Sequence, residues 1–293
     1  MKRFYFLILV IIISVFTGLM HGQTREQTAS TDKINLVFSL NIFHNIKTED
    51  AKALAIILAN HIKKQYDLNF DFDVSIIDGI SNKEELLKLN FDYIILTSEE
   101  YILYKNLLPL EPYATSIYDG HVGFRYLFIV NKNSKYNDLS QLKNTSINVL
   151  ARQNQKIPFL WLDKLLKEKN LPSHEKYFKS ITTDYKATNI LLPVFFNKAD
   201  ACIISEASLK VLTELNPSLT KDLSILYTSD YFTLGIGCLN SQKKQTNSYN
   251  ILKDVILKLH QTEYGAQFLK LFYSDQSVLF KEDYLQNVLK LYK

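Results

Sequence analysis

Residues 34–39 (INLVFS), 48–62 (TEDAKALAIILANHI) and 91–96 (FDYIIL) decide the predicted fold. The first and the last are short apolar runs typical of buried strands, whereas the middle one repeats apolar residues at the helical period. Between them, residues 70–76 alternate apolar and polar side chains as a strand with one wet face does, and residues 81–84 carry a helix-capping pattern. This β-α-β-α-β order predicts a sheet of parallel strands with helices on both sides.

The same alternation continues through the second half of the chain. Further strands are predicted at residues 124–130, 147–150, 177–181 and 199–204, and further helices at residues 158–169, 185–196 and 207–215. From Thr246 onward the pattern predicts helices alone. Two similar α/β units with returning helices indicate a two-lobed molecule rather than a tandem repeat.

The composition excludes several classes of protein. A chain of 293 residues exceeds the usual size of a single core, so two domains are expected. The 34 Lys and Arg residues nearly balance the 30 Asp and Glu residues, and the resulting net charge of +4 argues against nucleic acid as a partner. With only 8 Gly and 6 Pro, the chain is neither collagen-like nor a flexible linker.

The N-terminus resembles an export signal. Two cations precede an apolar run at residues 4–20, which predicts a signal over residues 1–22 and a periplasmic or otherwise extracytoplasmic protein. Gly22 suits the last position before cleavage, but Met20 is bulky for the position two before it. An uncleaved membrane anchor is therefore the alternative, because 17 residues reach the short end of a bilayer span.

The two cysteines, Cys202 and Cys238, lie in short strand-like runs. An oxidising compartment permits a disulfide between them, provided that their Cα atoms come within about 7 Å. Burial of each thiol as a small apolar group is the alternative.

Four segments carry a resemblance to one family. They are INLVFSLNIFHN (34–45), FDYIILTSEEYI (91–102), YLFIVNKNSKYNDLSQLKN (126–144) and VFFNKADACIIS (194–205). Together they resemble the opening strand and helix, the strand ending in a polar pair, the crossover strand and the later helix–strand element of the periplasmic binding proteins of phosphate, phosphite and phosphonate transporters. The resemblance extends over residues 34–240.

The resemblance implies a two-lobed α/β fold of the periplasmic-binding-protein type, each lobe a mostly parallel sheet flanked by helices. It places residues 33–123 and 231–293 in lobe one and residues 124–230 in lobe two, with the ligand in the cleft. It further implies an extracytoplasmic, monomeric solute-binding protein of an ABC transporter. Its partners would be a small anionic, phosphonate-like or phosphate-like ligand and a membrane permease or membrane sensor.

The loop before the helix at Pro158 is the first candidate for ligand binding. In the family this position is a Ser- and Thr-rich anion clamp, but residues 151–156 here are ARQNQK, with no Ser, Thr or Gly. A guanidinium, a Lys charge and the helix dipole would all favour an anion. The candidates are Arg152, Gln153, Asn154 and Lys156; the alternative is a solvated polar loop.

The second group of candidates lies at strand ends, where open α/β sheets bind ligands. They are Asn41, Thr97, Ser98, Tyr101 and Glu206. Helix capping is an alternative role for the Thr97–Ser98 pair, and Tyr101 is equally explained as a rim aromatic residue. Glu206 would suit an ammonium group or a protonated oxygen, unless it only occupies the first turn of a helix.

No catalytic or metal-binding motif is present. The six histidines are scattered, and neither an H-E-x-x-H nor a G-x-S-x-G sequence occurs. The chain is therefore predicted to be no enzyme and to bind no cofactor or metal. The alternative to solute transport is a ligand-sensing or protein-interaction module on the same fold that has lost its transport ligand.

Overall fold

The structure, a computed structural model, describes residues 33–43, 46–77, 84, 87–152, 154–270 and 272–293. The predicted signal or anchor at residues 1–22 lies outside the described residues, as does most of the short helix expected at residues 81–84. None of the helices in the described part of the chain is long and apolar enough to span a bilayer.

The strands and helices alternate along most of the chain. The strands are β1 (Lys33–Ser39), β2 (Asp71–Ile77), β3 (Tyr93–Thr97), β4 (Leu110–Tyr118), β5 (His121–Val122), β6 (Tyr126–Asn131), β7 (Ser146–Leu150), β8 (Ser180–Asp184), β9 (Ala201–Ser205), β10 (Leu223–Thr228), β11 (Gly235–Asn240) and β12 (Gln276–Leu279). The helices are α1 (Thr48–Gln65), α2 (Ser98–Tyr104), α3 (Ile157–Glu168), α4 (His174–Tyr177), α5 (Ala187–Phe195), α6 (Glu206–Leu215), α7 (Leu219–Asp222), α8 (Asn247–Ile256), α9 (Glu263–Lys270) and α10 (Gln286–Lys290).

These strands form two sheets. The first has seven strands in the order β12-β4-β11-β3-β1-β2, with β5 paired to β4, and the second has five in the order β10-β6-β9-β7-β8. In the first sheet β1 runs parallel to β2 and β3, and in the second β7 runs parallel to β8 and β9. The α/β class with two helix-flanked sheets is confirmed.

The expectation of mostly parallel sheets is wrong. All the pairs made by β4, β6, β10 and β11 are antiparallel, so each sheet is mixed. Three of these strands, β6, β10 and β11, adjoin the two places where the chain passes from one sheet to the other.

Two connections join the sheets, and they touch each other. Phe124 and Phe232 exchange both backbone hydrogen bonds, at 2.9 and 2.7 Å, in an isolated antiparallel bridge. Gly123 precedes this bridge with φ +86°, and a Cβ built there would lie 2.1 Å from the Phe232 carbonyl oxygen. Glycine is thus required where the two connecting segments cross.

Each sheet has its own apolar core. Beneath α1, α8 and α9 the first sheet buries a cluster that includes Phe38, Phe43 and Phe268. The second sheet buries Phe128 and Trp161 on one face, and Ile129, Leu191 and Cys202 on the other.

The two cysteines are free and buried in different sheets, so they do not form the disulfide that the sequence left open. Cys202 lies on β9 in the second sheet and Cys238 on β11 in the first. Burial raises the pKa of both thiols. They pack as small apolar groups, which was the alternative.

Several elements differ from the sequence prediction. Strand β10 was not predicted, and the strand expected at residues 177–181 is displaced to Ser180–Asp184, because helix α4 ends at Tyr177. The C-terminal region is not helical throughout, because Gln276–Leu279 form the edge strand β12, paired with β4. Strand β4 itself was not predicted, because it contains Pro112. The structure accommodates this proline where the register between β4 and β11 shifts, at Gly237 and Cys238.

Candidate functional site

A cavity of about 90 Å³ lies between the two sheets and is called the inter-sheet cavity here. Its polar lining residues are Asn41, Tyr93, Thr97, Glu99, Thr115, Ser116, Tyr126, Gln155 and Ser277. Its apolar lining includes Ile42, Ile95, Phe124, Leu234, Phe268 and Phe272. One water needs roughly 10–15 Å³ by the same measure, so the cavity has room for a solute of several heavy atoms.

Both sheets contribute to this lining. Alternate residues of β3 point to one face, which brings Tyr93 and Thr97 to the cavity wall. Tyr126, at the start of β6, and Gln155, in the loop before α3, close it from the second sheet. The side-chain amide of Gln155 donates to the Asn41 carbonyl oxygen at 2.9 Å, which ties the two sides together.

Arg152 binds the protein itself. Its guanidinium donates to the carbonyl oxygens of Phe43 (3.3 Å) and Ile46, and it stands 4.5 Å from the centre of the Tyr185 ring. The predicted bidentate contact to a ligand oxyanion would compete with these bonds. Arg152 lines a smaller pocket beside the inter-sheet cavity, together with Tyr185.

The N-terminus of α3 is already occupied by a carboxylate. The backbone N–H groups of Lys156 and Ile157 donate to Glu99 Oε1 at 2.6 and 3.1 Å. Lys156 precedes the helix and has no side-chain acceptor with which to cap it, so these N–H groups need an outside partner. Glu99, in the first turn of α2, supplies it where the sequence predicted a ligand anion.

The other residues of this loop face solvent or fall outside the description. The side chain of Lys156 is exposed, and so is Asn154, which has φ +72°. Gln153 lies outside the described residues. Among the described residues of this loop, Gln155 is the one that lines the inter-sheet cavity.

Burial makes Glu99 an unusual acid. Loss of solvent raises its pKa, the two N–H bonds from α3 lower it, and the net effect raises the pKa of Glu99 to about 7. Glu100 and Lys156 act on it through their charges, in opposite directions. Burial and the nearby charge of Glu99 raise the pKa of Tyr292 to about 12.

The stability of the protein should therefore depend on the protonation of Glu99. The folded chain holds the Glu99 proton more tightly than the unfolded chain, so its contribution is present at low pH and lost as pH rises through about 7. We expect the Tm of the unaltered chain, relative to Glu99→Gln, to increase by about 2 °C or more between pH 8 and pH 5. Calorimetry of both proteins across this range tests it, and two parallel Tm curves would contradict it.

A buried carboxylate organises the cavity wall formed by the first sheet. Glu100 Oε1 accepts hydrogen bonds from the Ser39 hydroxyl (2.8 Å) and the Asn41 amide (3.1 Å), and its Oε2 accepts from the Thr97 N–H at 2.8 Å. The Thr97 hydroxyl in turn accepts from the Glu100 N–H, which completes a capping box for α2. Thr97 thus has both roles considered for it, as a helix cap and as part of the cavity wall. Asn41 Oδ1 is buried and has no hydrogen-bond partner among the described residues.

The remaining candidates lie away from the inter-sheet cavity. Ser98 is fully buried, and its N–H donates to the Leu234 carbonyl oxygen at 2.7 Å. Tyr101 packs on the opposite face of the first sheet, because α2 turns it toward the core around Ile236 and Leu285.

Glu206 forms an ion pair and does not line the cavity. Its carboxylate binds the guanidinium of Arg125 at 2.7 and 2.5 Å, and it begins α6. This matches its alternative role, an acidic residue in the first turn of a helix.

Sequence reasoning missed Glu99, Thr115, Tyr126 and Gln155. Glu99 follows a strand end directly, which is a usable signal, but its partner Lys156 lies 57 residues further on. Thr115 lies on the unpredicted strand β4, and nothing in the sequence marks Tyr126 as facing a cavity. Across the residues that the structure describes, no cluster of three or more His, Cys, Asp or Glu is arranged to hold a metal.

The profile of one protein family matches this chain over residues 47–284. The family is described as the periplasmic substrate-binding protein of phosphonate ABC transporters. The chain belongs to this family. The resemblance inferred from four short segments is thereby confirmed, and the chain is a periplasmic substrate-binding protein of the phosphonate ABC transporter family. A search of curated proteins finds no match.

The fold of this family member is similar to that of several solved structures. A binding component of an ABC phosphonate transporter from Pseudomonas aeruginosa is 14% identical, with a TM-score of 0.64 over 90% of this chain and 86% of that one. PhnD1 from Prochlorococcus marinus, in complex with methylphosphonate, is 14% identical, with a TM-score of 0.63 over 89% and 97%. A Xanthomonas citri protein bound to ATP is 13% identical, with a TM-score of 0.62 over 89% and 95%. These are two-lobed proteins, and the likeness establishes the fold.

Proposed function

We propose that this family member binds a small solute in the inter-sheet cavity and delivers it to a membrane permease. In this proposal one lobe comprises residues 33–123 and 231–293, and the other comprises residues 124–230. The protein acts as a monomer. The observation that carries the proposal is the joint lining of the cavity by Tyr93 and Thr97 from one sheet and Tyr126 and Gln155 from the other. A solute bound there contacts both lobes, so it favours the closed arrangement over an open one.

Hydrogen bonds between the two sides support a closed arrangement. Arg152 binds the carbonyl oxygens of Phe43 and Ile46, and Gln155 binds that of Asn41. The bridge between Phe124 and Phe232 lies where the chain passes between the lobes, which suits a hinge.

The family name points to a phosphonate-like or phosphate-like anion as the solute. In this chain such an anion would have to displace Glu99 from the N–H groups of Lys156 and Ile157. It would also compete for Arg152 with two backbone carbonyl oxygens. A binding experiment should therefore compare small anions with neutral and cationic solutes of similar size.

The single tryptophan offers a direct measurement of binding. Trp161 is buried and stacks on Tyr126, with ring centroids 6.4 Å apart, and Tyr126 lines the cavity. We expect at least one solute of a panel of small anions, cations and neutral molecules to change Trp161 fluorescence saturably. The same solute should also raise the Tm. At 100 times its Kd, binding adds about 2.7 kcal/mol to the free energy of unfolding.

Gly235→Leu tests whether binding takes place in this cavity, because the new side chain would fill part of it. A Cβ built at Gly235 meets no atom closer than 3.9 Å, the Ile95 side chain, so a larger side chain enters the cavity without backbone strain. This variant should fold and lose the fluorescence response. Unchanged binding by Gly235→Leu, or no response of the unaltered chain to any solute, would refute binding in this cavity.

A further inference from the structure

We propose that the solute is an organic amine: a molecule with an ammonium group that binds Glu99 and Asn41, and with an apolar body that fills the rest of the cavity. This inference rests on the proposed function and specifies the chemistry of the same site. It differs from the anionic ligand that the sequence predicted.

The charge of the cavity wall is the first argument. Glu99 is the one charged side chain among its described lining residues, and no Lys, Arg or His is included. The nearest cations do not line it, because Arg152 lies at the neighbouring pocket and the Lys156 side chain is exposed. An oxyanion would meet a carboxylate without a compensating cation, which is costly inside a protein, whereas an ammonium group would form an ion pair.

The hydrogen-bonding capacity of the wall is the second argument. Asn41 is 6% exposed, and its Oδ1 has no donor among the described residues, although its Nδ2 is bound to Glu100. A buried acceptor without a partner costs roughly 1–3 kcal/mol. Asn41 lines the cavity, so a small turn of its side chain toward a ligand N–H would let Oδ1 accept a hydrogen bond and recover this loss. The N–H groups that would suit an oxyanion, those of Lys156 and Ile157, are already bound to Glu99.

The apolar walls specify the rest of the molecule. Ile95, Phe268 and Ile256 line both the inter-sheet cavity and a second, apolar pocket under α1, α8 and α9. The cavity therefore adjoins further apolar space within the first sheet's core. Burial of a hydrocarbon group there contributes about 25 cal/mol per Å².

Three probes matched in chain length test the inference: n-butylammonium, n-butanol and n-butylphosphonate, titrated at pH 8 against Trp161 fluorescence. Butylammonium should bind most tightly of the three. Its affinity should fall at least tenfold in Glu99→Gln. It should stay unchanged in Glu168→Gln, which removes the same charge from the exposed far end of α3. On the unaltered chain its affinity should also rise from pH 6 to pH 8, because Glu99 ionises in that range while the probe remains charged.

The outcomes separate this inference from the proposed function. Tighter binding of butylphosphonate overturns the amine and leaves solute binding standing. If another solute from the wider panel binds but none of these three does, the amine is likewise overturned and solute binding still stands. Equal affinity of butylammonium for the unaltered chain and Glu99→Gln, or, should that variant not fold, an affinity independent of pH, also overturns the inference. If no solute of either set binds, both proposals fail.

Discussion

Gly123→Ala is expected to destabilise the protein by about 3 kcal/mol or more. Gly123 has φ +86°, a conformation that alanine adopts only with strain, and the new methyl group would lie 2.1 Å from the Phe232 carbonyl oxygen. Relief of that contact would break the bridge between the two connecting segments. Urea denaturation of the variant and the unaltered chain measures the loss.

Gly120→Ala is the control for this prediction. Gly120 also has a positive φ, +78°, but a Cβ there has no atom within 4 Å. Its substitution should cost only the conformational penalty, about 1–2 kcal/mol. Equal losses for the two variants would show that the close approach at Phe232 adds nothing.

Glu100→Ala is expected to lower the free energy of unfolding by about 3 kcal/mol or more. Its carboxylate is buried and accepts hydrogen bonds from Ser39, Asn41 and Thr97, so truncation leaves three buried donors without an acceptor. Because Asn41 and Thr97 line the inter-sheet cavity, the loss should extend to ligand affinity. Chemical denaturation and Trp161 titration measure the two effects.

Glu168→Ala is the matched comparison for Glu100→Ala. Glu168 is exposed at the end of α3 and pairs with Lys164 at 3.9 Å, a contact of the kind that contributes at most about 0.5 kcal/mol. A loss for Glu100→Ala no larger than that for Glu168→Ala would mean that the buried hydrogen bonds do not hold the cavity wall.

The parts of the fold with a strong local pattern were predictable from the sequence. Strands β1 and β3 are apolar runs buried on both faces, and α1 repeats its apolar residues at the helical period. Strand β4 was missed because Pro112 interrupts its pattern, and the sheet compensates by a register shift that no local signal encodes. Edge strand β12 is short and partly polar, and only its pairing with β4 defines it.

The sequence predicted only part of the lining of the inter-sheet cavity. From the loop at residues 151–156, Gln155 lines the cavity, as do Asn41 and Thr97. The sequence prediction overestimated how well this loop could bind an anion. Glu99 already accepts a hydrogen bond from the Lys156 N–H, and the carbonyl oxygens of Phe43 and Ile46 already accept hydrogen bonds from Arg152. Contacts between residues so distant in sequence follow from the packing of the two sheets, which one sequence does not reveal.

The location of the two thiols gives each half of the molecule its own reporter. Cys202 is buried in the second sheet and Cys238 in the first, and neither is paired. A thiol reagent can modify either residue only after the surrounding strands separate, since burial also suppresses the reactive thiolate. The two labelling rates therefore compare how often the strands of each sheet separate in the native protein. A solute that binds between the two sheets should slow both rates.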